Sequence, residues 1–182
     1  MPYFLFALGS ALLIFISRRN LHAVQSHGFY RLLAWECMLL LLLRQYPFWF
    51  ADRFAWYQCV SWLLLFTSLP VLVFAVRGLK QAGTDQQARA DATLLAFEKT
   101  AQLITSGIYR HIRHPMYSSL LLLNWGLLFK QPFSVLNIVL ALAATVLLAL
   151  TAKQEEQENL AYFGTAYGDY MTRSKRFLPA LW

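Results

Sequence analysis

Long apolar runs without a single Asp, Glu, Lys or Arg recur along this chain, at residues 3–17, 54–76 and 132–152, with less clean runs at 29–50 and 115–129. A helix rises ~1.5 Å per residue and a bilayer core is ~30 Å thick, so about 20 apolar residues are needed to cross it. The runs 54–76 and 132–152 are long enough, while 3–17 and 115–129 barely reach. Composition agrees, since 58% of residues are hydrophobic and 14% charged, a balance foreign to a soluble domain of this size. The expected fold is an all-α polytopic membrane bundle of about five spans, forming one integral membrane unit over 1–182. Residues 1–76 supply three N-terminal spans, and 77–182 a loop, a helical hairpin and a C-terminal segment.

Residues 1–17 lack the basic n-region of a signal peptide, and Arg18-Arg19 follow the apolar run instead of preceding it, the pattern of a retained span with its N-terminus outside. In a five-span arrangement thirteen of the 16 Lys and Arg fall on one side, leaving Arg44, Arg53 and Lys130 on the other. The richer side is expected to be cytoplasmic, and with it the C-terminus. The net charge of +7 is spread over several membrane-flanking loops, so topology accounts for it and nucleic acid is not an expected partner. Cys37 and Cys59 have no metal-ligand spacing and read as small buried hydrophobes. Glu36, inside the second run, is expected to pack against a neighbouring helix.

The long polar stretch 77–114 is the natural place for a site, and within it 86–103 reads as a helix lying on the membrane surface. Lys130-Gln131-Pro132 predicts a tight turn between the fourth and fifth spans, bringing both outer ends of that hairpin to one membrane face. Polar side chains crowd both ends. Before the hairpin stand Tyr109, Arg110, His111, Arg113, His114 and Tyr117; after it come Glu155, Glu156 and Glu158, then Phe163, Tyr167 and Tyr170, then Arg173 and Arg176. Pro115 should hold His114 extended at the start of the fourth span, leaving free N–H groups there as an anion-binding corner. Carboxylates and aromatic faces after the hairpin suit a cation. Lipid-headgroup anchoring and a solvated acidic turn are the non-catalytic alternatives.

The segments Gly107-Ile-Tyr109, Arg113-His114-Pro115-Met-Tyr117, Glu155-Glu156, Phe163-Gly164 with Tyr167 and Tyr170, and Arg176-Phe-Leu-Pro179 together resemble the isoprenylcysteine carboxyl methyltransferases and related phospholipid methyltransferases. The resemblance covers roughly residues 104–182. It implies a membrane enzyme using S-adenosyl-L-methionine, whose acceptor is a small, lipophilic or lipid-linked molecule, a lipophilic one arriving from the bilayer. Carried over by position, Gly107, Tyr109, His114, Pro115, Tyr117 and Glu156 would bind the cofactor, and Arg113, Glu156 and Arg176 would be catalytic, the arginines holding an anionic group. No metal is implied. Where the family often has glycine this chain has Ser119, which would narrow the local pocket. No glycine-rich nucleotide fingerprint is present, which argues against a soluble dinucleotide-type methyltransferase. Two rivals remain: an NADPH-dependent membrane reductase of the sterol-reductase kind, and a non-catalytic scaffold or transporter. The residues leave O-, N- and S-methylation open.

Overall fold

The computed structural model describes residues 2–18, 26–81, 102–131 and 134–179. Within them run six α-helices: α1 (Pro2–Ser17), α2 (His27–Gln45), α3 (Trp56–Gln81), α4 (Pro115–Leu128), α5 (Val135–Phe163) and α6 (Thr165–Arg173). The surface helix expected over 86–103 lies outside the described residues except for Gln102 and Leu103, which are not helical. Arg19 and Pro132 are outside as well.

Each expected span becomes a helix, with boundaries set by local chemistry. Ser26 caps α2 by accepting the Phe29 N–H at 3.4 Å, the ordinary use of serine at a helix start. Pro47 then turns the chain through a short 3-10 segment, Tyr46–Phe48, so the helix ends earlier than the apolar run 29–50. In contrast α5 runs well past residue 152: the polar stretch Lys153–Phe163 continues the same helix. Gly164 ends it with φ 61°, ψ −136°, a conformation that favours glycine.

Two helices, Trp56–Lys80 and Val135–Phe163, have both the length and the apolarity to cross a membrane. The other three expected spans are shorter or more polar: α1 has 16 residues, α4 has 14, and α2 carries Arg31, Glu36 and Arg44. The outward faces of α1, α3 and α5 are apolar, with Phe4, Leu8, Leu12 and Phe15 on α1, Leu63, Phe66 and Leu69 on α3, and Val135, Val139, Leu142 and Val146 on α5 exposed. A continuous apolar exterior of this kind is what a bilayer solvates.

Inside, α2 lies against α5 and α3 against α4, with α1 outside α2. Ala34 and Met38 of α2 meet Ala144, Leu148 and Ala152 of α5, and Leu41 meets Leu127, Leu128 and Ala141. The alanine stripe on α5 lets α2 approach closely, and in lipid such van der Waals fit carries helix association. Glu36 is partnered across the α1–α2 seam, where the Ser10 hydroxyl donates to it at 2.5 Å. Cys59, expected to be buried, is exposed on α3, because its face of the helix points outward.

The two ends of the bundle are polar. At one, the turn after α4 buries Lys130 completely. Its ammonium sits 3.4 Å from the Trp62 ring centroid and 5.0 Å from that of Trp49, and donates to Gln58 Oε1 at 3.2 Å. At the other end lies the cluster described next.

Candidate active site

Gly107 opens a short 3-10 turn, Gly107–Arg110, with φ 60°, which a side chain would strain. The turn lays the Tyr109 ring on α3 at Gly78, where a Cβ would stand 2.9 Å from the ring. Before Pro115, His114 has φ −122°, ψ 60°, short of the extended conformation expected there, and the chain pairs with the C-terminal segment: Arg113 N–H donates to Lys175 C=O at 2.7 Å, His114 N–H to Arg176 C=O at 3.1 Å, and Lys175 N–H to His111 C=O at 3.0 Å. The N–H groups of Arg113 and His114 are thus taken by backbone carbonyls, so the free donors expected beside them would be those of the first turn of α4.

That pairing delivers Arg176 and Phe177 to the hairpin mouth. Glu156, 3% exposed, receives Arg113 Nε at 2.9 Å and Arg176 at 3.2 and 2.6 Å. Arg113 also donates to the carbonyls of Met171 and Ser174. Two guanidiniums on one buried carboxylate make a closed unit, and its removal would strand charge in the protein. His114 adds to it, with Nε2 3.4 Å from Glu156 Oε1 and Nδ1 3.8 Å from Glu155 Oε2. Its imidazole is stacked on Tyr117, centroids 5.5 Å apart, and tilted against Phe177.

Beside this unit is a cleft of about 90 Å³. One wall is Tyr109, Arg113, His114, Pro115 and Tyr117; the facing wall is Glu155, Asn159 and Phe163 of α5 with Tyr167 and Tyr170 of α6; Gln102–Ile104 form part of the rim. Whole ligand pockets run to ~300–1,000 Å³, so this cleft is smaller than such a pocket. The Tyr117 hydroxyl donates to Glu155 at 2.5 Å, aiming a carboxylate across the cleft. Tyr170 donates to the Tyr109 carbonyl at 2.6 Å. Burial pushes its phenol up to about 12, against a smaller opposite pull from Ser174 and Arg113, and burial likewise raises Tyr167. Both therefore stay neutral at ordinary pH.

Of the residues singled out from sequence, Tyr109, Arg113, His114, Pro115 and Tyr117 line the cleft, while Gly107, Glu156 and Arg176 are not among its lining residues. Gly107 shapes the turn that carries Tyr109, and Glu156 and Arg176 fasten the cleft from behind. The carboxylate in the cleft is Glu155. The sequence reading passed over it and Asn159 as site residues, although Glu155, Asn159 and Phe163 are spaced at four-residue intervals that mark one helix face. Ser119 does not narrow the cleft; its hydroxyl turns back to the Met116 carbonyl at 2.7 Å. A second cavity, of about 470 Å³, lies between α3, α4, α5 and the C-terminal segment, walled by Leu64, Leu121, Trp125, Phe129, Phe177 and Leu178. Its Ser118 hydroxyl is spent on the carbonyls of His114 and Phe177.

Residues 68–161, about half of the chain, match the isoprenylcysteine carboxyl methyltransferase (ICMT) family. Methanethiol S-methyltransferase of Pseudomonas deceptionensis is 28% identical over 119 residues, 65% of this chain and 42% of that protein. Methanethiol S-methyltransferase 2 of Bradyrhizobium diazoefficiens is 27% identical over 128 residues, 67% of this chain and 44% of that one. The chain thus spans less than half the length of these curated relatives. No solved structure matches significantly.

Proposed function

The chain belongs to the isoprenylcysteine carboxyl methyltransferase family, and from that premise we propose that it transfers a methyl group from S-adenosylmethionine to a small or lipophilic acceptor at the cytoplasmic face of a membrane. The observation that carries the reading is the Glu155 carboxylate, held by Tyr117 at 2.5 Å in a cleft walled by Tyr109, His114, Phe163 and Tyr167. A carboxylate framed by aromatic faces suits a sulfonium cation, through charge and through the ring quadrupoles. The donor set therefore fits the cofactor, with Tyr109, His114, Tyr117, Glu155 and Tyr167 as its holders. The topology that goes with this reading is the five-span one, N-terminus outside and cleft inside the cell.

When bound, the cofactor supplies an electrophilic methyl on sulfur. What the protein adds is alignment and exclusion of water. Pro115 and the backbone pairing of residues 111–114 with 174–177 fix His114 and Tyr117, and Glu156 locks both strands of that pairing together. Arg113 and Arg176 are engaged by Glu156, which argues for a positioning task and against their gripping an acceptor carboxylate. We therefore favour a thiol acceptor over a carboxylate one. A thiol, with a pKa near ~8.5, must lose its proton. Glu155 and His114, whose Nδ1 lies 3.8 Å from that carboxylate, are the groups in the cleft that can take it. The apolar cavity behind Phe177 favours a second reading, an acceptor with a hydrocarbon tail. The reductase alternative loses weight, because both curated relatives carry methyltransferase names.

The test is calorimetric titration of the full chain in nanodiscs with S-adenosylmethionine and, separately, NADPH, followed by label transfer to methanethiol and to an S-prenylated cysteine. Binding of S-adenosylmethionine with label on the thiol supports the proposal. Binding of NADPH alone would reverse it.

A further inference from the structure

The mechanism above leaves two buried basic side chains of α2 unused. His27 is 0% and Arg31 1% exposed, and both lie on α2, in the half of the chain where the sequence offers no motif. They stand four residues apart, hence on one face of the helix. Glu158 of α5 clasps the start of that face, taking the His27 backbone N–H at 3.2 Å and pairing with ring Nδ1 at 2.5 Å. A carboxylate is favoured there, at the positive end of α2.

Farther along, Arg44 donates to Asn137 at 2.8 Å, so α2 and α5 run antiparallel. Arg31, one turn beyond His27, therefore comes level with the turn of α5 that precedes Glu158, which holds Glu155. Burial disfavours the Glu155 carboxylate, and its neighbours His114, His27, the Tyr117 hydroxyl and Arg31 favour it. From α6 the neutral Tyr167 faces it, and on its own helix Glu156 and Glu158 repel it. A buried guanidinium is costly unless it serves a partner; this one is also stacked 5.3 Å from the Trp35 ring, which fixes its place.

We propose that Arg31, seated by the His27–Glu158 pair, is a positioning residue that keeps Glu155 ionised and turned into the cleft, making the N-terminal half of the chain a wall of the site. The inference rests on the reading of the cleft as a sulfonium site. The charge coupling itself does not.

The experiment is an infrared pH titration of the full chain in nanodiscs, comparing wild type, Arg31→Met and Arg31→Lys. Each is measured with and without Glu155→Gln, which identifies the Glu155 carboxyl band. The protonated band should appear at a pH higher by about one unit or more in Arg31→Met, as expected for loss of a nearby opposite charge, and return toward wild type in Arg31→Lys. Affinity for S-adenosylmethionine should drop about tenfold in Arg31→Met, yet show no further loss when Glu155→Gln is already present. An unchanged Glu155 titration in folded Arg31→Met overturns the proposal, as does an equal affinity loss in the Glu155→Gln background. If Arg31→Met does not fold, Glu158→Gln loosens the seat without removing the charge: a smaller shift in the same direction supports the proposal, and none overturns it. The infrared reading needs no cofactor. A wild-type chain that ignores S-adenosylmethionine would therefore defeat the functional reading while the coupling is judged separately.

Discussion

The two ends of the α4–α5 hairpin both bury charge, and they do so in opposite ways. At the Lys130 turn one cation is enclosed by two indole faces and one amide, a closed arrangement with no anion among the described residues. At the other end, Glu156 gathers Arg113, Arg176 and His114, and next to that closed unit Glu155 faces a cleft. Burial of charge alone therefore does not mark a site. What marks it is a charge left directed at open space beside a cluster that has already satisfied itself.

The sharpest way to break this contrast is Glu156→Gln. With the shared carboxylate gone, two guanidiniums lose their counter-charge, and a loss of about 3–5 kcal/mol is expected, seen as a lower thermal midpoint in nanodiscs. The counterpart at the far end is Trp62→Ala, which removes the nearer face of the Lys130 cage. It should cost about 3 kcal/mol in the same assay, while affinity for S-adenosylmethionine stays within about twofold because distant sites act independently. If affinity falls as well, the two ends are coupled and the comparison fails.

Glu155→Gln sharpens the contrast from the other side. Since the carboxylate is partly exposed, stability should change by under about 1 kcal/mol, whereas S-adenosylmethionine affinity should drop about tenfold or more with loss of a charged partner. A large stability loss with unchanged affinity would make Glu155 a second Glu156. The smallest expected effect is a pH dependence. Tyr170 is raised to about 12 in the folded chain against ~10 unfolded, so its stabilising contribution is full below pH ~10 and is lost as pH rises through about 12. Tyr170→Phe should flatten that part of a stability–pH curve, measured by thermal unfolding at successive alkaline pH values.

The long apolar helices were legible because hydropathy needs no partner: α3 and α5 stand where the runs 54–76 and 132–152 predict. The convergence of the hairpin ends was legible too, and Tyr109, His114 and Tyr117 do line the cleft. What escaped was direction. Glu155 and Glu156 are neighbours in sequence but point about 100° apart on a helix, and only packing decides which one faces the cleft. The sequence likewise counted Lys130 as a topological charge, since its partners Trp49, Gln58 and Trp62 stand far from it along the chain. The pairing of residues 111–114 with 174–177 joins segments with no local signal of strand formation.

That pairing also sets an order of events during synthesis. Ser174, whose carbonyl takes the Arg113 guanidinium, is added 61 residues after Arg113. At the ordinary pace of about 5–20 residues per second, several seconds pass between the two. Throughout that interval the hairpin mouth waits without its closing segment. Assembly of the cleft is thus a late step, taken after the membrane helices have emerged.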